Sequence, residues 1–184
     1  MMVTIGVVTI LAAISFAGLR QDEFDGQYRR FVQDVRGALV RARNHAIDQQ
    51  TPVRIDVTND QLLVTAWNGT TDTWDRIHAV VMSDARDTLL LANERVCIYG
   101  FGEGVQTPSQ LADITPPSDC LSDTQQLQFE ADGTFTDPLN AFVVPNSGVT
   151  LWIGDRSVPG QERAALIQVF PGGLIRAFDN IMGS

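Results

Sequence analysis

No proline occurs between Met1 and Thr51, and no charged residue occurs before Arg20. These two absences constrain the fold more than any other feature, because an unbroken helix-compatible run of this length has few ways to bury itself. The stretch MMVTIGVVTILAAISFAGL is apolar or small on every side. As a helix rising about 1.5 Å per residue it would be about 28 Å long, close to the hydrocarbon thickness of a bilayer. A helix in a soluble core needs only one apolar stripe. A helix apolar all round therefore reads as one that crosses a membrane or packs among other helices. No Lys or Arg precedes it, unlike the basic start of a secretory signal or the basic flank of an ordinary anchor.

Past Arg20 and the acidic group Asp22, Glu23 and Asp25 the pattern changes. Phe24, Tyr28, Phe31, Val35, Leu39, Ala42 and Ala46 recur at steps of three and four, which places them on one stripe of a helix that packs on a sheet. Arg29, Arg30, Gln33, Arg36 and Arg43 lie mostly off that stripe. Gly18, Gly26 and Gly37 each weaken the helix by about 1 kcal/mol relative to alanine, and Pro52 ends it. The spacing predicts one long helix with a transmembrane or filament-core half over 1–22 and an amphipathic half over 23–51.

From Pro52 the period falls to two. PVRIDVTNDQLLVTAW predicts two strands joined at Asn59-Asp60, and TWDRIHAVVM and RVCIYGF predict two more. LQFEADGTF reads as a hairpin around Asp132-Gly133. VTLWIG follows, and then AALIQVF and LIRAF joined through Pro171-Gly172-Gly173. Residues 102–124, rich in Gly, Pro, Ser and Asp, read as a long loop. Gly100, Gly102 and Gly104 read as loop too, since no helix start follows them to make a phosphate cradle. The fold class is α+β: residues 52–184 form a β-rich domain of seven to nine strands, with the helix's amphipathic half packed on antiparallel sheet.

Chemistry is sparse. His45 on the helix and His78 in a strand are the two histidines, and both read as surface or structural residues. There is no set of nucleophile, base and orienter, and no hydrolase, zinc-protease or phosphate-loop motif. The expectation is no enzyme, no cofactor and no resident metal. Asp113, Asp119 and Asp123 offer oxygen ligands of the kind calcium takes, but at no calcium-loop spacing. Cys97 and Cys120 are too few for a disulfide framework or a four-thiolate zinc site. They flank the long loop, and the residues alone leave one bridge and two buried thiols open. The formal charge is −9, and all 13 basic residues are arginine. Such an acidic chain is repelled by phosphate backbones, which disfavours nucleic acid.

The order of parts resembles the type IV pilin-like proteins, and within them the minor pseudopilin GspH/FimT group, FimU included. MMVTIGVVTILAAIS is similar to the middle of the pilin N-terminal segment. FVQDVRGALVRARNHAIDQQTPVRIDV has the group's arginine-rich helix end, Ala-Ile pair, Pro-Val and first strand. LQFEADGTF and LIQVFPGGLIRA resemble its later hairpins. The likeness covers most of the chain except about residues 70–124. It implies a pilin-like fold, and it implies that a short basic leader and about five further residues ending in glutamate precede Met1. Where that leader is processed, methylation of the new N-terminus is implied as well. Ala17 stands where the family helix commonly carries a kinking proline, which implies a straighter helix.

The function implied is that of a minor pilin or pseudopilin, a structural subunit of a type II secretion pseudopilus or type IV pilus tip that helps initiate filament assembly and protein secretion. The implied partners are other minor pilins or pseudopilins, the major pilin and the inner-membrane assembly platform. The implied location is the bacterial inner membrane, single-pass, with the domain in the periplasm or on the cell surface. Gly6, Ala12, Ala13 and Gly18 are the small residues that would let helices approach in membrane or filament. An exported domain favours the Cys97–Cys120 bridge, worth roughly 3 kcal/mol through the loop it closes. Two alternatives remain beside this one. The first is a FimT-like DNA-uptake subunit, although the closing hairpin FPGGLIRAF carries Arg176 alone and Asp179 follows. The second is a plain membrane-anchored periplasmic binding module.

Overall fold

The computed structural model describes residues 28–58, 61–81, 96–103, 121, 123–136, 148–155 and 163–178. Helix α1 is described over 28–49. Tyr28, Phe31, Val32, Val35, Ala38, Leu39, Ala42 and Ala46 are all buried along it, as a three-and-four spacing requires. Phe24, Gly6, Ala12, Ala13 and Gly18 lie outside the described residues, as does the predicted membrane half. Among the described residues no helix is long and apolar enough to cross a membrane.

The helix ends before Pro52 by a left-handed turn. Gln50 takes φ 53°, its N–H donates to the Ile47 carbonyl, and the Thr51 N–H donates to that of Ala46. That pairing satisfies two of the last orphan carbonyls, and the Gln50 side-chain amide adds a 2.8 Å bond to Ile47 O.

Nine strands follow among the described residues: β1 (Val53–Val57), β2 (Gln61–Asn68), β3 (Thr73–Val81), β4 (Val96–Glu103), β5 (Gln125–Phe129), β6 (Phe135–Thr136), β7 (Val149–Asp155), β8 (Arg163–Val169) and β9 (Ile175–Phe178). They form two antiparallel sheets. The first has the order β3-β2-β1-β5-β6 and the second β4-β7-β8-β9. One core cluster joins them: the α1 stripe packs with Val53, Ile55, Val57, Leu62, Val64, Leu127 and Phe129 of the first sheet, and with Leu151, Ile153, Ala165 and Ile167 of the second.

Burial along β1 alternates strictly, so its period of two is visible in the sequence. By contrast, β7 and β8 are buried on both faces, Trp152, Ala164 and Leu166 as well as Leu151, Ile153 and Ile167. Strands of that kind read as continuous apolar runs. The loop expected from residue 102 needs one correction. Gly100 and Gly102 are in β4, opposite Trp152 and Thr150, with a register irregularity between Ile98 and Gly100. Backbone pairing to β7 carries the strand read over RVCIYGF on through Gly102 to Glu103.

Candidate functional site

The two hairpins containing Asp132-Gly133 and Pro171-Gly172-Gly173 are built alike. In each, the first turn residue receives an N–H three residues on, and its own N–H reaches the carbonyl four residues on. Gly133 N bonds Glu130 O and Glu130 N bonds Thr134 O. Likewise Gly173 N bonds Phe170 O and Phe170 N bonds Leu174 O. Gly133 and Gly173 take φ of 80° and 76°, the left-handed position that such a turn reserves for glycine. In the first turn the Thr134 hydroxyl and N–H both donate to Asp132 Oδ1, which holds this exposed carboxyl below the usual carboxylate range.

The turns meet at the end of α1. Arg43 donates from Nε to Gly133 O at 3.1 Å and from Nη2 to Gly172 O at 3.3 Å. The Phe135 N–H of β6 donates to Pro171 O at 2.8 Å. One guanidinium thus ties the helix to a turn of each sheet. Arg43→Ala is expected to lower stability by about 2 kcal/mol, since two bonds from a charged donor are lost. Arg43→Lys should recover only part of that, because one ammonium cannot span both carbonyls. Urea denaturation of the two variants checks this.

Two residues earlier, Arg41 Nη2 lies 2.7 Å from His78 Nε2 on β3. A guanidinium can only donate, so Nε2 accepts and the ring is neutral. Gly37 makes room, since a Cβ there would stand 3.3 Å from Arg41 Nη1. Partial burial, then Arg41, lowers the His78 pKa below 6.5; Arg76 adds to this and Asp34 opposes it. The unfolded chain therefore takes up this proton first as pH falls. The contribution is complete above about pH 6.5 and is lost toward the lowered folded value. It is a small effect at a largely solvated ring. Comparing thermal midpoints from about pH 8 to 5 should show the dependence in the wild type and a flatter one in His78→Gln.

At its exposed positions α1 presents Arg29, Arg30, Gln33, Asp34, Arg36, Arg41 and Asn44, with Val40, 39% exposed, among them. On the outer face of the first sheet, Trp67 and Trp74 meet edge to face at 5.4 Å, and the Arg54 guanidinium lies 4.2 Å from the Trp74 ring centroid. The buried Arg54 Nε has no hydrogen-bond partner there, and the ring's π face is the group that offsets it.

Nothing among the described residues assembles into reactive chemistry. No group of His, Cys, Asp or Glu among them is placed to hold a metal ion. Asp123 is exposed, and Asp113 and Asp119 lie outside the described residues. Cys97 falls in β4, while Cys120 lies outside the described residues. Arg176 is exposed, 5.2 Å from the Phe170 ring. The Arg43 joint escaped sequence reading, which grouped Arg43 with the surface arginines. Its only sequence signal was that both turns demand a left-handed glycine.

No protein-family model matches the sequence, and no curated protein is significantly similar to it. Solved structures do match. The crystal structure of the minor pseudopilin EpsH from the type II secretion system of Vibrio cholerae superposes with a TM-score of 0.51, over 86% of this chain and 98% of that one. The fold is that of a minor pseudopilin. At 13% sequence identity the likeness is one of fold. A second EpsH structure gives a TM-score of 0.50 at 14% identity, covering 83% of this chain and 97% of that one. The type IV minor pilin FimU of Pseudomonas aeruginosa gives 0.46 at 13% identity, over 85% and 96%.

Proposed function

We propose that the chain is a minor pilin or pseudopilin, a structural subunit of a type II secretion pseudopilus or a type IV pilus that carries out no reaction itself. The observation that carries the reading is the pairing of the pseudopilin fold with a helix buried on one face only. Such a helix still has a face to give to neighbouring subunits. Residues 1–22 would hold the chain in the inner membrane and then pack among other subunits' helices, with Gly6, Ala12, Ala13 and Gly18 allowing close approach. The strand domain would stand in the periplasm or at the cell surface and contact companion minor subunits. There a Cys97–Cys120 bridge would fasten the loop between them, and thiol labelling of the unreduced protein counts it directly.

A fragment beginning at Phe24 separates this reading from DNA uptake. At about 0.15 M salt it should leave double-stranded DNA unbound and bind the soluble domains of its companion minor subunits. Micromolar DNA affinity with a steep salt dependence, and no binding to those domains, would favour uptake instead.

A further inference from the structure

Asn68 closes β2 at the β2–β3 turn, and of the chain's seven asparagines it is the only one followed by glycine. Its amide is held at both ends. Oδ1 accepts the Thr70 N–H at 3.0 Å and the Thr71 N–H at 3.4 Å, and Nδ2 donates to Asp75 Oδ2 at 2.7 Å. The Thr73 hydroxyl donates to Asp75 Oδ1 at 3.1 Å and so steadies that carboxylate. Among the described residues the Gly69 N–H donates to nothing, and residues 69–73 are all exposed. These are the parts of an acyl transfer gathered in one turn. Two backbone N–H groups polarise the Asn68 side-chain carbonyl and face the oxygen on which negative charge develops. The next backbone nitrogen carries no hydrogen bond, and its residue has no side chain to shield it. The Asp75 carboxylate lies on the nitrogen that would leave.

We propose that Asn68 is a site of spontaneous deamidation in the folded protein. The Gly69 nitrogen bonds to Asn68 Cγ and gives up its proton, the Cγ–Nδ2 bond breaks, and Nδ2 leaves as ammonia with that proton. Water then opens the resulting five-membered succinimide at one of its two carbonyls. The product is aspartate, or isoaspartate with one extra methylene in the main chain. Water is the only co-reactant. The bonds on the amide act in both directions, since they also hold it in one orientation. Those to Oδ1 strengthen as the oxyanion forms, however, and only the one from Nδ2 is lost. Either product puts a carboxylate where the amide was, so the 2.7 Å bond to Asp75 becomes a contact between like charges. Isoaspartate also disturbs the last rungs of the β2–β3 ladder, where Asn68 stands opposite Thr73 and Trp67 opposite Trp74. The change is irreversible and adds one negative charge to an exposed hairpin, so it distinguishes old copies of the chain from new ones.

The test holds the full chain in nonionic detergent at one mildly alkaline pH, beside the same chain unfolded in urea, and follows the asparagines by peptide mass spectrometry. The native protein is expected to lose the Asn68 amide at a rate comparable to the unfolded chain, with Asn44, inside α1, unchanged. Water labelled with heavy oxygen should leave its label on residue 68, and isoaspartate-specific enzymatic methylation should detect the second product. A native rate about tenfold or more below that in urea overturns the proposal, because the turn then guards the amide. Gly69→Ala fits the fold, since an added Cβ would meet only Trp67 Nε1, at 4.0 Å. It should slow the native conversion several-fold by crowding the attacking nitrogen, and an unchanged rate overturns the cyclisation step. Thermal midpoints read the consequence. Asn68→Asp should lower the midpoint by a few degrees, and by much less in a chain that also carries Asp75→Asn. Equal shifts in the two backgrounds overturn the charge conflict with Asp75.

Discussion

Replacing Gly173 with alanine is expected to destabilise the domain by about 4 kcal/mol, from two causes that act together. Gly173 has φ 76°, where an L side chain costs roughly 1–2 kcal/mol. Its added Cβ would also run into the Gly133 carbonyl oxygen and Arg43 Nε. The first of these is backbone and cannot turn aside. The second is the guanidinium that ties both turns to the helix, so relieving the clash breaks the joint. For a domain of this size the midpoint should fall by roughly 10 °C. Gly172→Ala is the control: nothing lies within 4 Å of a Cβ there, and the change should stay within about 0.5 kcal/mol. Thermal unfolding of the two variants side by side reads the difference. Comparable losses in both would show that the packing of the two turns is not what Gly173 protects.

Phe129→Ala is the second large effect, about 3–5 kcal/mol. Phe129 is fully buried and stands opposite Val53 on one side and Phe135 on the other. Its ring meets that of Phe135 edge to face at 6.0 Å. Truncation removes a large transfer contribution, leaves a cavity in close-packed surroundings and forfeits the aromatic pair. Leu174, 48% exposed at the tip of the closing hairpin, makes the comparison, since its truncation to alanine should be nearly neutral. Urea denaturation gives both values.

The α+β class and the antiparallel arrangement were legible because local chemistry and tertiary structure agree. Helical steps of three and four run up to Pro52, alternation is strict in β1, and the Asp132-Gly133 and Pro171-Gly172-Gly173 turns name their own geometry. The division into two sheets was not legible. β7 and β8 are apolar on both faces, and a run without alternation does not say which neighbour it pairs with. Gly100 and Gly102 read as loop because glycine weakens a strand in isolation, whereas their pairing with β7 is a long-range effect. The roles of Arg43, Arg41 and His78 depend on groups brought together across the fold, at separations of 90, 129 and 37 residues. No window of sequence contains both partners.

The central claim is that the chain works by joining other pilin-like subunits in a filament. The most direct measurement is the number of assembled filaments in native cells from which this gene alone has been deleted in frame. The account predicts a loss of filaments that the wild-type gene restores, and that a gene lacking the codons for residues 1–22 does not. Filament numbers unchanged by the deletion, with uptake of external DNA lost instead, would contradict it.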